Sequence, residues 1–256
     1  MKRPRTVAIV QARMGSSRLP GKVLLEIAGK PMLARVVERA RRAKTVQQVG
    51  VATTTGPEDD AVEAAARELG VPVYRGSLHD VLDRYYQAAR AFRAEVIVRL
   101  TADCPLIDPD EIDHTVEAFF SSGVDFAANR LPWGRTVPIG LDTEVCAFSA
   151  LERAWKEAAE PFEREHVMPY LYDKEGRFRV LLVESSPDYG KLRWTVDTPE
   201  DLELARAVYA RFAGREDFTY PEVLRLFERE PGLAEINADV KHKTFQDVDE
   251  RRFNRS

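Results

Sequence analysis

From residue 6 to residue 129 the chain alternates short apolar runs with amphipathic stretches, and this rhythm constrains its fold more than any other feature. Thr6-Val-Ala-Ile-Val10 reads as a buried strand. Further strands are expected at 48–52, 71–74, 95–100 and 124–128, with helices at 31–43, 58–69, 79–92 and 109–121 between them. Gly70 and Gly123 stand just past two of these helices, where a left-handed residue closes a last turn. A succession of strand–helix units implies an α/β fold: a parallel sheet covered by helices on both faces.

Beyond residue 129 the rhythm changes. Residues 131–141 hold Pro132, Gly134, Pro138 and Gly140 and read as a loop or mobile flap. Strands are expected at 143–147, 178–183 and 192–196. Helices are expected at 149–158 with Ser149 as cap, at 162–171, from Thr198 to about 212, and at 220–228. Thr198, Pro199 and Asp201 have the order of a capped helix start. With no linker or composition break, residues 1–230 read as one domain and 231–256 as a polar, arm-like C-terminal tail.

The first strand runs into Gln11-Ala-Arg-Met-Gly-Ser-Ser-Arg-Leu-Pro-Gly-Lys22, where Arg13, Arg18 and Lys22 are spaced through small residues. Gly and Ser let backbone N–H groups approach a ligand closely, and guanidinium forks converge well on a polyanion. A nucleoside triphosphate is the target this suggests, with an ordinary basic loop as the plain alternative. Five residues separate Gly15 from Gly21-Lys22 and Val23 follows, so the loop is not a Walker motif. No G-x-G-x-x-G dinucleotide fingerprint is present either. The net charge of −4 gives the chain no general attraction to nucleic acid or anionic membrane, so phosphate binding must rest on local cations such as these.

Ligands of open parallel sheets bind at the carboxyl ends of the strands, and two more strand ends carry acids. The strand at 95–100 leads into Thr101-Ala-Asp103-Cys-Pro105, and the one at 192–196 into Asp197. Two such carboxylates suit Mg²⁺, which takes few protein oxygens beside those of a substrate phosphate. The plain alternative for Asp103 is a turn anchor before Pro105, and for Asp197 a turn or cap residue before Thr198. Thr53 and Thr54 follow the second strand, where they can hydrogen-bond a base or simply form a turn. Arg75-Gly76 can approach a base or make a type II turn. Glu165-His166 lacks metal-ligating partners at i±4, so His166 reads as a substrate contact or a packed histidine. Cys104 and Cys146 are in no metal-ligand spacing, and no apolar run approaches the length of a membrane span. A cytoplasmic, disulfide-free protein without membrane insertion is the expectation.

The motif Gln11–Leu24 together with Gly29-Lys-Pro-Met32 resembles the signature of the cytidylyltransferases that activate acidic sugars, the CMP-ketodeoxyoctonate and CMP-acylneuraminate synthetases. The likeness is greatest to their relatives in spore-coat polysaccharide biosynthesis. Arg75-Gly-Ser, the stretch Arg99–Asp108, Glu165-His166-Val and Trp194–Asp201 extend it in the same order over roughly residues 5–212. The resemblance implies a nucleotide-diphospho-sugar transferase fold with a mixed, mainly parallel seven-stranded sheet. It implies transfer of CMP from CTP to a sugar hydroxyl, the sugar being acidic, with release of pyrophosphate. Arg13, Arg18 and Lys22 would hold the triphosphate, Ala12 and Gly15 would give backbone contacts, and Asp103 and Asp197 would carry Mg²⁺. Thr53, Arg75 and Gly76 would lie near the cytosine and ribose. Asn129, Gly140, Glu144 and His166 would face the sugar, with Arg130 and Arg135 as candidates for its carboxylate. A homodimer is also implied. A glycosyltransferase of similar fold that consumes a nucleotide sugar, or a non-catalytic nucleotide-binding subunit, are the alternative readings.

Overall fold

The structure, a computed structural model, describes residues 3–241. Its centre is a seven-stranded sheet built from β1 (Thr6–Gln11), β2 (Gln48–Thr54), β3 (Val73–Gly76), β4 (Val96–Thr101), β5 (Phe126–Ala128), β6 (Glu144–Ala147) and β7 (Val180–Leu182). Their order across the sheet is β7-β5-β6-β4-β1-β2-β3. β6 runs antiparallel to both of its neighbours, and every other pair is parallel. The expected mixed, mainly parallel α/β sheet is therefore present.

The central strands are mainly apolar because both faces of the sheet are covered. Ala8, Val10, Val98 and Leu100 pack on one side with α1 (Met32–Ala40), α2 (Asp60–Glu68) and α4 (Pro109–Ser122). Val7, Ile9 and Ile97 pack on the other with α3 (Val81–Ala91) and α5 (Phe148–Glu157). A third cluster lies off the sheet, where Trp194 and Val196 pack with α8 (Pro199–Arg211) and α9 (Tyr220–Arg229). The helix signals at 198–201 hold: Thr198 and Asp201 form a reciprocal capping box.

Several expectations are corrected. Residues 192–196 do not form a strand of the sheet. They are extended and make one isolated bridge, Arg193 to Ile139, because their apolar side chains are buried against α8 and α9 rather than along a sheet edge. Residues 162–171 are two short helices, α6 (Pro161–His166) and α7 (Pro169–Tyr172), parted at Val167 with φ of 72°. Pro169 has no N–H with which to continue the first helix. α5 starts at Phe148 with Ala147 as its cap position, so Ser149 lies inside the helix. Arg75 and Gly76, for which a type II turn is the alternative to a base contact, belong to the end of β3. The flap at 131–141 opens with a hairpin, Arg130–Leu131 against Gly134–Arg135.

The start of the C-terminal tail is also folded. Gly232–Glu235 forms α10, Leu233 is buried beside α8 and α9, and buried Asn237 donates from Nδ2 to Asp201 Oδ1 at 2.8 Å and to the Arg193 carbonyl at 3.1 Å. Residues 242–256 of that tail lie outside the described residues.

Candidate active site

The loop after β1 is pinned at both ends. The Ala12 N–H donates to the Ala52 carbonyl at 3.1 Å, the Met14 N–H to Asp59 Oδ1 at 2.6 Å, and the Gly21 N–H back to the Met14 carbonyl at 3.0 Å. Gly21 has φ of 69°, a left-handed conformation that suits glycine, and turns the chain into a short 3-10 turn beginning at Lys22. Lys22 is thereby aimed inward and is only 9% exposed.

Asp103 and Asp197 meet on that lysine. Its Nζ lies 2.7 Å from Asp103 Oδ2, 2.8 Å from Asp197 Oδ1 and 2.9 Å from the Val196 carbonyl oxygen. The other Asp197 oxygen accepts from Arg193 Nη2 at 2.8 Å and lies 3.1 Å from Arg18 Nη2. Arg193 is fixed in turn by Asp201, which receives its Nε and Nη2 at 2.9 Å each. Asp201 also accepts from the Asp197 and Thr198 N–H groups, at 2.9 and 3.1 Å. The helix cap at Thr198 and the placement of Asp197 are one hydrogen-bonded unit.

Burial works to raise the Asp197 carboxyl, but Lys22, Arg193 and Arg18 outweigh it and hold the group well below the usual carboxylate range. Burial likewise opposes the Lys22 ammonium, and the two aspartates more than offset it, so its pKa is raised. Two carboxylates and a main-chain oxygen thus converge on one positive charge. Among the described residues no group of three or more His, Cys, Asp or Glu side chains could hold a metal alone. The pair therefore fits a hard divalent cation whose remaining ligands come from water or phosphate.

These residues open onto a cavity of about 320 Å³, whose lining includes Arg13, Gly15, Arg18, Lys22, Asp103, Asp197, Leu78, His79, Arg84, Arg99 and His166. Arg84 is fully buried, with no hydrogen-bond partner for its Nε and Nη2, and burial pushes its guanidinium down to about 10. A smaller cavity of about 170 Å³ is lined by Arg99, Thr101, Arg130, Asp142, Glu144, His166 and Tyr172. The two share Arg99, Thr101 and His166. Glu144 stands directly opposite Arg99 on the neighbouring strand and pairs with its Nη1. Arg135 pairs with Asp142, whereas Arg130 Nε is 3.8 Å from the same carboxylate, beyond hydrogen-bond distance.

Of the residues singled out in the sequence, Arg13, Gly15, Arg18, Lys22, Asp103, Asp197 and His166 line the larger cavity, and Glu144 and His166 the smaller. Ala12, Thr53, Arg75, Gly76, Asn129 and Gly140 line neither. Thr53 is buried within β2. Arg75 is turned toward Glu63, 2.8 Å away, and donates to the Thr54 and Gly56 carbonyls at 2.7 Å each. Gly76 packs against the Arg84 side chain, which a Cβ would meet at 3.0 Å. Asn129 latches the flap's end, donating to the Leu141 carbonyl and accepting from the Thr143 N–H, both at 2.8 Å. Gly140, with φ of 110°, lets the flap lie against residue 195, whose backbone nitrogen a Cβ would approach to 2.6 Å. Sequence reading missed Arg84, Arg99, Arg193, Tyr172, Asp142 and the role of Asp201 beyond the cap. A cation inside the apolar run of β4 was the available signal for Arg99.

A cationic loop at the carboxyl end of β1, joined through Lys22 to a carboxylate pair beside a cavity on a mainly parallel sheet, is the arrangement of a nucleotidyltransferase. The cytidylyltransferase family profile matches residues 7–230. The spore coat polysaccharide biosynthesis protein SpsF of Bacillus subtilis is 34% identical over 236 residues, covering 88% of this chain and 95% of its own. A 3-deoxy-manno-octulosonate cytidylyltransferase of Anaeromyxobacter dehalogenans is 34% identical over 238 residues, covering 79% and 96%. The solved structure of a cytidylyltransferase from Leptospira borgpetersenii superposes with a TM-score of 0.87 at 34% identity, covering 94% of this chain and all of the other. The chain belongs to the cytidylyltransferase family.

Proposed function

We propose that this enzyme transfers CMP from CTP to a hydroxyl of an acidic sugar, releasing pyrophosphate, in the making of surface polysaccharide. The observation that carries the reading is the meeting of Asp103, Asp197 and the loop cation Lys22 on one wall of the larger cavity. The acceptor hydroxyl attacks the α-phosphorus in line. The new P–O bond forms as the α–β bridging bond breaks, pyrophosphate leaves with its electron pair, and the hydroxyl proton is lost to solvent. Arg13, Arg18 and Lys22 neutralise charge that grows on the phosphoryl and leaving oxygens, a role that preorganised cations fill without a covalent intermediate. Asp103 and Asp197 would hold Mg²⁺, which when bound supplies further charge neutralisation. Arg84, buried without a carboxylate partner, favours a ligand rich in acceptor atoms.

The smaller cavity is the acceptor's place in this reading. Arg99 is paired with Glu144 and Arg135 with Asp142, whereas Arg130 Nε stands 3.8 Å from Asp142, beyond hydrogen-bond distance, and is the cation assigned here to the acceptor's carboxylate. Glu144 and His166 border the sugar, with Asn129 and Gly140 shaping the segment behind it. The base lies toward the ends of β2 and β3, near Thr53 and Gly76. A cytoplasmic homodimer belongs to the same reading, and sedimentation equilibrium checks the dimer. The test of function is pyrophosphate release across a panel of nucleotides and sugars. Turnover is expected with CTP and a sugar acid, and no turnover with any sugar would reject the reading.

A further inference from the structure

Lys22 stands where a cation held by Asp103 and Asp197 would stand. Its Nζ takes three oxygens from two separate segments, at 2.7, 2.8 and 2.9 Å. A second cation cannot share those oxygens while the ammonium holds them, since two positive charges a few ångströms apart repel. Arg18 also rests on Asp197, at 3.1 Å. Arg193 differs, because Asp201 anchors it through two bonds of 2.9 Å and it can keep Asp197 oriented when the loop cations leave. The Lys22 backbone is fixed in its turn by the bond from its N–H to the Leu19 carbonyl at 3.2 Å, but its four-carbon stem lets the ammonium swing without moving that turn.

We propose that Lys22 is a removable plug in the divalent-cation seat. In the free protein the ammonium closes the seat. The polyphosphate of a bound nucleotide draws it off, opens Asp103 and Asp197, and so makes nucleotide and divalent cation bind cooperatively. By linkage each raises the other's affinity by the same factor. The inference rests on the nucleotidyl-transfer reading of the same site and adds an order to its assembly: the metal ion alone binds weakly until the triphosphate has moved Lys22.

The test measures Mn²⁺ binding to the nucleotide-free protein, from the electron paramagnetic resonance signal of the unbound ion and from calorimetry. Lys22→Met and Lys22→Gln are expected to bind Mn²⁺ at least about tenfold more tightly than wild type, as removal of one competing charged contact implies. Lys22→Arg should stay as weak as wild type. Adding Asp197→Asn to Lys22→Met should abolish the gain. Should the neutral variants fold poorly, wild type alone decides: a CTP analogue with a methylene between its α- and β-phosphorus should tighten Mn²⁺ binding, after correction for ion held by the analogue itself. Equal Mn²⁺ affinity in free wild type and in the neutral variants overturns the plug, as does equal affinity with and without the analogue. If no form of the protein binds the analogue or Mn²⁺, the nucleotidyl-transfer reading has failed and the plug falls with it. If Mn²⁺ binds the analogue complex but charge removal at residue 22 changes nothing in the free protein, only the plug is refuted.

Discussion

The two cavities treat charge in opposite ways. Around the larger one, Lys22 and Arg18 are long side chains of a surface loop resting on Asp103 and Asp197, so their charges can be handed to an incoming ligand. Around the smaller one, the pairs are locked into the scaffold: Glu144 faces Arg99 on the neighbouring strand, and Asn129 ties down Leu141 and Thr143 on either side of Asp142. The contrast teaches a division of labour. In the proposed reading, the cations of the larger cavity follow the phosphates, whereas the paired wall of the smaller one selects the acceptor.

The largest expected effect falls on the larger cavity. Asp103→Ala and Asp197→Ala should each lower kcat/KM by about a hundredfold or more, the scale for loss of a preorganised electrostatic contact, read from pyrophosphate release. Asp201→Ala should come next and act through stability. It leaves Arg193, 8% exposed, without its main partner, and a loss of about 3–5 kcal/mol in urea unfolding is expected for a broken buried pair. Arg130→Met tests the rigid side. It should raise the KM for an acidic acceptor about tenfold while leaving that for CTP unchanged, as expected for one charged contact. Equal changes in both would erase the distinction between the cavities.

A smaller effect is the pH dependence of stability. Asp197 and Asp201 are both held below their ordinary values in the folded protein. Their contribution is therefore complete above the unfolded carboxylate value of about 3.9 and is lost as pH falls below it. Lys22, raised in the fold, contributes fully below the unfolded lysine value of about 10.4 and is lost only as pH rises beyond it. The gap in melting temperature between wild type and Asp197→Asn should thus be flat from about pH 5 to pH 9 and shrink on acidification below about pH 4. The smallest effect is expected for Arg75→Met. Its guanidinium is held by Glu63 and by loop carbonyls away from both cavities, so kcat/KM should stay within about threefold, the modest scale of a partly exposed ion pair.

Arg75 also shows where sequence reading stops. Its position at the end of β3 was legible from the strand–helix rhythm, but the direction of its side chain depends on Glu63, a neighbour on α2. The loop from Arg13 to Lys22 was legible because its chemistry is contiguous and follows an unmistakable strand. Asp103 and Asp197 were found as acids after apolar runs, although the run before Asp197 packs on helices and is not a strand of the sheet. The Arg99–Glu144 pair, 45 residues apart in sequence, depends on β6 running antiparallel to β4, a topology that local patterning does not encode. Residues 231–256 read as an arm because they are polar, yet within their described part Leu233 and Asn237 are buried against the Arg193–Asp201 unit and its helices. The break at Val167 had a local signal in Pro169 that the apolar periodicity of 162–171 masked.

Whether this wall of carboxylates and loop cations transfers a nucleotidyl group is decided by product stoichiometry. With CTP labelled at the α-phosphorus and a sugar acid as acceptor, label should move into a CMP-sugar with one pyrophosphate released per label transferred. The double variant Asp103→Ala/Asp197→Ala should do neither. Label transfer by the double variant at the wild-type rate, or turnover of a preformed nucleotide sugar in place of CTP, would contradict nucleotidyl transfer at this wall.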